Sequence, residues 1–191
     1  MSSFLLFKRK CKSVNFELEF CEINDAYIKY LNSYDKRVPL PKQNNQLNNR
    51  KYIGVLFSIN NINYFVNLSS YKPYKHDKMN ESVDFIKIGT YAVINLNNMV
   101  PVPNSEIIKI NINKEEEKYK NLLLRERRII KKRKNDIYKN SQIVYKHKLM
   151  NSENSSLAKR CCDFKLLESV LQKWISSQLH KALVSSVNTN E

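Results

Sequence analysis

Only two glycines occur in 191 residues. That excludes Gly-rich phosphate loops and dinucleotide-binding turns, which need several residues free to take positive φ or to admit a close backbone. Cysteine is scarce and unpatterned. Cys11, Cys21, Cys161 and Cys162 form no C-x-x-C pair, and no histidine stands at zinc-ligand spacing from them. The adjacent Cys161 and Cys162 cannot easily bridge each other, so the four read as free thiols of a reducing compartment. No apolar run approaches a membrane span. The run Phe4 to Phe7 is too short for a signal-peptide core, and its charges follow it instead of preceding it. The expectation is a soluble, cytoplasmic protein with no metal, no cofactor and no membrane association. Acidic residues are also short, 18 Asp+Glu against 33 Lys+Arg, for a formal net charge of +15. Such an excess favours a polyanionic partner, because each phosphate neutralised releases counterions. Nucleic acid is the favoured partner; an anionic membrane surface or a solubility device fits the same charge.

What is present is globular: 42% hydrophobic and 10% aromatic residues. The length suits one domain over 1–191. Val14 to Cys21 alternates apolar and polar residues and reads as a half-buried strand. Asn24 or Asp25 looks like a helix N-cap, followed by Tyr27, Ile28, Tyr30, Leu31 and Tyr34 at helical spacing. Val38 to Pro41 ends that helix. Tyr52 to Ile59 and Ile62 to Leu68 are β-prone runs flanking Asn60-Asn61, a tight hairpin turn at the centre of the sheet. Ser69 to Glu81 is polar and aperiodic. Further strands are expected over Val83 to Ile88, Tyr91 to Ile94 and Ile107 to Ile110, with a Pro-limited turn or edge strand between the last two. Lys114 to Met150 reads as helix with a break in Asn135 to Ser141. Asn151 to Ser156 reads as a linker. A last helix is capped at or just before Asp163 and frays after Val184. The fold class is α+β: a strongly bent antiparallel sheet with one helix over 14–110, then a helical part over 113–184 that packs on it.

Chemistry concentrates in Leu68 to Lys78, which holds two serines, three lysines, two tyrosines and one of three histidines. Cleavage of RNA by its own 2′-hydroxyl needs a base for that proton, an acid for the leaving 5′-oxygen, and cations and donors for charge growing on phosphate. Lys72 and Lys75 supply charge, Ser69 and Ser70 hydrogen bonds, and His76 acid–base capacity near neutral pH. A solvated Lys/Ser turn fits the same composition. No Ser–His–Asp arrangement is readable, so Ser70 is read as orienting the 2′-hydroxyl or a phosphate oxygen, not as a covalent nucleophile. Tyr71 and Tyr74 are equally readable as base-stacking or packing residues. The densest basic run is Arg125, Arg127, Arg128, Lys131, Lys132, Arg133 and Lys134, with Ile129 and Ile130 facing inward. It is either a solvated helix face or a bed for an RNA backbone.

Several segments in order resemble the ToxN/AbiQ endoribonucleases. They are Tyr27 to Leu31 with Asp35 to Pro39, Arg50 to Val55 through Tyr64 to Ser70, Lys72, Lys75 and His76, Ile94 to Val102, and Cys162 to Glu168. The resemblance implies a twisted antiparallel sheet wrapped by helices, like the Kid/MazF toxin ribonucleases. It implies metal-independent cutting of cellular or phage RNA to leave a 2′,3′-cyclic phosphate. It further implies inhibition by a tandem-repeat RNA antitoxin folded as a pseudoknot, a closed toxin–RNA ring, and abortive defence against phage. Carried over by position, the family's active residues fall on Ser69 and Ser70, with Ser70 essential, on Lys72, on Arg50 with Lys51 beside it among the RNA contacts, and on His76. This chain has Tyr71 where relatives often have Pro, and the loop is about one residue longer before His76. The alternatives are a non-catalytic RNA-binding module, which predicts no need for Ser70 and Lys72, and a basic peripheral membrane or scaffold protein, which predicts an amphipathic basic helix as the working part.

Overall fold

The computed structural model describes residues 18–40, 51–54, 57–151 and 154–188. Among these residues eight antiparallel strands form one sheet. They are β1 (Glu19–Ile23), β2 (Tyr52–Gly54), β3 (Ser58–Ile59), β4 (Ile62–Ser70), β5 (Phe85–Ile88), β6 (Ala92–Asn95), β7 (Val100–Val102) and β8 (Ile107–Lys109), in the order β5-β6-β4-β2-β1-β8, with β3 and β7 also on β4. The helices are α1 (Asp25–Tyr34), the one-turn α2 (Pro73–His76), α3 (Glu117–Lys132), α4 (Lys134–Asn151), α5 (Ser156–Arg160) and α6 (Phe164–Asn188). The α+β class and the antiparallel sheet are as the sequence leads one to expect.

β4 is the spine. Its first half pairs with β3 and β7, its second half with β2 and β6. Asn60 and Asn61 both take positive φ, 50° and 64°, which their short polar side chains tolerate and which a twist-matched hairpin turn requires. Asn24 caps α1, its Oδ1 accepting from the Ala26 N–H at 3.0 Å. Asn24→Ala should therefore cost about 1 kcal/mol. A denaturant midpoint unchanged by this substitution would contradict the capping role.

Behind β4 the core is aromatic. Phe57 stacks on Tyr64 at 4.7 Å, and Tyr145 and Phe164 close the cluster. Glu168 is buried there. Its Oε1 accepts from the Tyr64 and Tyr145 hydroxyls at 2.8 and 2.5 Å, and its Oε2 accepts from Lys165 at 2.8 Å. A carboxylate is tolerable in such a place only because its acceptor sites are filled. Trp174 is half-buried, bracketing α6 to α1 through Tyr27 and Tyr30 and donating its N–H to Glu106 at 2.9 Å.

Four boundaries depart from expectation. β4 runs on through Ser69 and Ser70, because β6 offers Val93 and Ala92 as ladder partners that outweigh the weak strand propensity of serine. The long helical region breaks at Arg133 and not within 135–141. There Arg133 donates to Glu81 at 2.5 and 3.2 Å and to the Lys87 carbonyl at 3.0 Å, fixing the break to the β5 side of the sheet. The expected linker, Asn151 to Ser156, leads into a short helix the sequence did not announce, α5, capped by Ser155. The last helix begins after Asp163, whose Oδ1 accepts from Leu166 N–H, and its backbone continues to Asn188 instead of fraying at Val184. The strand expected from Val14 is described only from Leu18, so its first residues lie outside the described range. Cys21, Cys161 and Cys162 are free and buried, as read. No helix among the described residues is long and apolar enough to cross a membrane.

Candidate active site

The sheet register decides which side chains share a face. Residues opposite each other on antiparallel strands lie on one face, and neighbours along a strand alternate. Tyr52 pairs with Asn67 and Ser70 with Ala92. Lys51, Leu68, Ser70 and Ala92 therefore occupy one face, and Tyr52, Asn67, Ser69 and Val93 the other. The same alternation, continued through the extended Lys72, returns Lys72 to the side of Ser70. The two serines that sequence reading treats as a pair thus face opposite sides of the sheet.

Ser70 and Lys72 are exposed, at and just beyond the end of β4, which is paired there with β6. The Tyr71 N–H extends that ladder to the Tyr91 carbonyl at 3.0 Å. Pro73 opens α2, where its missing N–H costs nothing, and it keeps Lys72 extended. The Ser69 hydroxyl is half-buried and accepts from Asn67 Nδ2 at 2.9 Å. Asn67 Oδ1 is buried without a partner.

His76 is buried, with its ring 5.2 Å from Tyr71 and 5.8 Å from Phe85. Its Nδ1 accepts the Lys72 N–H at 2.9 Å, while its backbone N–H donates to the Lys72 carbonyl at 2.7 Å. This double clasp needs an unprotonated Nδ1. Burial first, then Lys75, Lys72 and Lys87, hold the imidazole below its ordinary value and keep it neutral. The geometry makes His76 the fastener of the loop that presents Lys72. Tyr71 shares that task, its hydroxyl donating to Asp77 Oδ1 at 2.5 Å. Tyr74, 74% exposed, is the tyrosine left facing outward, with Lys75 exposed beside it.

Two positions do not take the surface places expected of them. Lys51 is buried. Its ammonium is paired with Glu22, lies 3.6 Å from Glu115 and sits 5.6 Å from the centre of the Tyr119 ring. Two carboxylates offset its charge, so it offers no free cation to a phosphate. Arg133 is committed to Glu81 and Lys87. Arg125, Arg128, Lys131 and Lys132 are exposed on α3, with Arg127 and Lys134 half-buried. Arg50 lies outside the described residues.

Sequence reading missed Glu126. It lies within the basic run, yet Leu123, Glu126 and Ile130 are the buried stripe of α3. That helix passes from Tyr119, over Lys51, to Ile129, whose Cδ1 is 3.0 Å from where a Cβ on Gly89 would stand. It therefore covers the sheet face that carries Ser70. The helical spacing alone reveals this stripe. Burial pushes the Glu126 carboxyl up to about 7, from about 4.3 in an open chain. Near it on the same helix stands Tyr119, whose ring has Lys51 over it. Between those two pH values the folded protein keeps a proton that the unfolded chain has lost. The stability this confers is complete below about 4.3 and is lost as pH rises through about 7. Glu126→Gln should match the parent at pH 4 and exceed it by about 3–4 kcal/mol at pH 8. Urea melts at both pH values test this, and an equal difference at the two would refute it.

The family described as toxin ToxN, type III toxin–antitoxin system, matches residues 19–172. The chain is 32% identical over 164 residues to Endoribonuclease AbiQ of Lactococcus lactis subsp. lactis, spanning 80% of this chain and 86% of that protein. It is 32% identical over 168 residues to Endoribonuclease ToxN of Bacillus thuringiensis subsp. kurstaki, spanning 82% and 84%. Among solved structures it is similar to a type III toxin selectively inhibited by a non-coding RNA pseudoknot, with TM-score 0.73, 31% identity, and coverage of 83% of this chain and 98% of that one. It is also similar to AbiQ, a lactococcal anti-phage endoribonuclease, with TM-score 0.71, 28% identity, and coverage of 84% and 99%. The chain belongs to the ToxN family of type III toxin–antitoxin toxins.

Proposed function

We propose that this toxin, like its named relatives, is an endoribonuclease, and that it cuts RNA through the 2′-hydroxyl to leave a 2′,3′-cyclic phosphate without a metal. The observation that carries this reading is the exposed Ser70 and Lys72 on one side of a rigid strand end. The Ser70 hydroxyl donates to a phosphate oxygen, and the Lys72 ammonium neutralises the charge that grows there. Both groups act from a preorganised backbone, so little reorganisation accompanies the reaction. Arg50 is assigned a bidentate grip on phosphate, which lysine in its place would lack. Ser69 and His76 serve by holding Asn67 and the Lys72 loop. The exposed α3 cations and Tyr74 form the bed for an RNA strand.

In the cytoplasm such an activity arrests growth, and abortive defence against phage follows from it. The inhibitor is a tandem-repeat RNA folded as a pseudoknot, closing with the toxin into a ring. The test is to incubate the purified chain with RNA in EDTA and map the ends. Cyclic phosphate on one product and a 5′-hydroxyl on the other are expected. Products carrying 5′-phosphate, or cleavage abolished by EDTA, would overturn the mechanism.

A further inference from the structure

An open groove of about 570 Å³ runs along α3, lined by Glu116, Lys118, Tyr119, Asn121, Leu122 and Arg125. Its volume is that of a small-ligand site. Leu122 is half-buried but does not join the hydrophobic core, so its apolar surface is turned to the groove. Asn121 donates an N–H to Glu117 at 3.1 Å, which leaves its carbonyl oxygen to accept. The groove is joined to the strand end. The Arg125 guanidinium lies 6.0 Å from the centre of the Tyr91 ring, and the Tyr91 carbonyl accepts from Tyr71, the residue after Ser70.

We infer that this groove is a base-binding subsite for a nucleotide of the strand being cut, next to the nucleotide held at Ser70. Tyr119 and Leu122 give an aromatic and an aliphatic wall for the flat face of a base. Asn121 and Glu116 meet the hydrogen-bonding edge of the base, and Arg125 and Lys118 meet the adjoining phosphates. No site limited to a simple anion needs the apolar wall, and the Glu116 carboxylate opposes one. Continuity with Ser70 through Tyr71, Tyr91 and Arg125 assigns the occupant to the substrate strand and not to the folded repeat RNA. The inference rests on the ribonuclease reading.

The test uses the full chain carrying Ser70→Ala, so that RNA stays whole. Fluorescent single-stranded RNA nonamers, each with one abasic position, are titrated in an anisotropy assay. One abasic position should weaken binding about tenfold, the worth of a stacked base. Leu122→Ala should weaken the intact nonamer by a similar factor and erase the further loss at that position, whereas Arg125→Ala, which removes a phosphate contact, should weaken the nonamer and keep that loss. Lys139→Ala, an exposed charge change on α4, should keep the abasic profile. Circular dichroism melts of each variant check that it is folded. An abasic profile unchanged by Leu122→Ala overturns the subsite. So does a Leu122→Ala loss confined to folded repeat RNA. If the Ser70-intact chain cuts no RNA while the nonamers still show a Leu122-dependent profile, the ribonuclease reading falls and the subsite stands. If it cuts RNA and the profile ignores Leu122, only the subsite falls.

Discussion

Ser70→Ala is expected to lower single-turnover cleavage of RNA by about 10²–10³-fold, the usual effect of removing one donor aimed at developing charge. Lys72→Ala should do the same. Both side chains are exposed at the end of β4 and support nothing in the core. Thermal midpoints should therefore stay within about 1 °C of the parent, as surface substitutions usually do. Ser69→Ala separates a shared hydroxyl pair from a single working hydroxyl. Ser69 faces the other side of the sheet and accepts from Asn67. Its loss should cost about 1 kcal/mol of stability and less than about tenfold in cleavage, a small share of what one aimed donor supplies. Equal losses from the two serine variants would sink the assignment of faces. Growth arrest on expression should follow the same order, relieved by Ser70→Ala and Lys72→Ala and largely kept by Ser69→Ala.

That contrast marks where the sequence stops being legible. The hairpin, its Asn60-Asn61 turn, the Asn24 cap and the last helix after Asp163 are local features, each specified by a few neighbouring residues. Which face a side chain occupies is not local. It depends on where β4 ends, and that depends on β6, some twenty residues on, lending Val93 and Ala92 as partners. Read without β6, Ser69 and Ser70 begin a loop and seem able to act together. Lys51 fails for a related reason: its partners Glu22 and Glu115 come from β1 and from just before α3. No spacing within the chain announces that trio. His76 looks like a titrating surface group in a polar stretch, yet the turn begun by Pro73 folds its ring back under Lys72. Glu126 is the opposite case. Its place in the stripe of Leu123 and Ile130 follows helical spacing and is hidden only by the charges on either side.

The position most sensitive to a single methyl should be Gly54, in β2. A Cβ there would overlap the Phe65 ring, standing 2.8 Å from its Cγ and closer still to two other ring carbons. Phe65 is buried in β4, in register with Val100 of β7, and its ring can swing aside only into other packed core side chains. The strand would have to move instead, and β2 is the bridge between β1 and β4. Overpacking of this kind commonly costs about 1–3 kcal/mol, and more where the neighbour is fixed. Gly54→Ala is therefore expected at or above the top of that range, about 3 kcal/mol or more. A marginally stable protein would lose much of its folded population. Because β4 also carries Ser70, activity should fall with the folded fraction. Phe65→Leu on top of Gly54→Ala removes the ring that the methyl meets. The double variant should recover part of the loss, a non-additivity that a urea-melt cycle measures directly. Strict additivity of the two substitutions would show that the close approach of Gly54 to Phe65 is not what fixes this glycine.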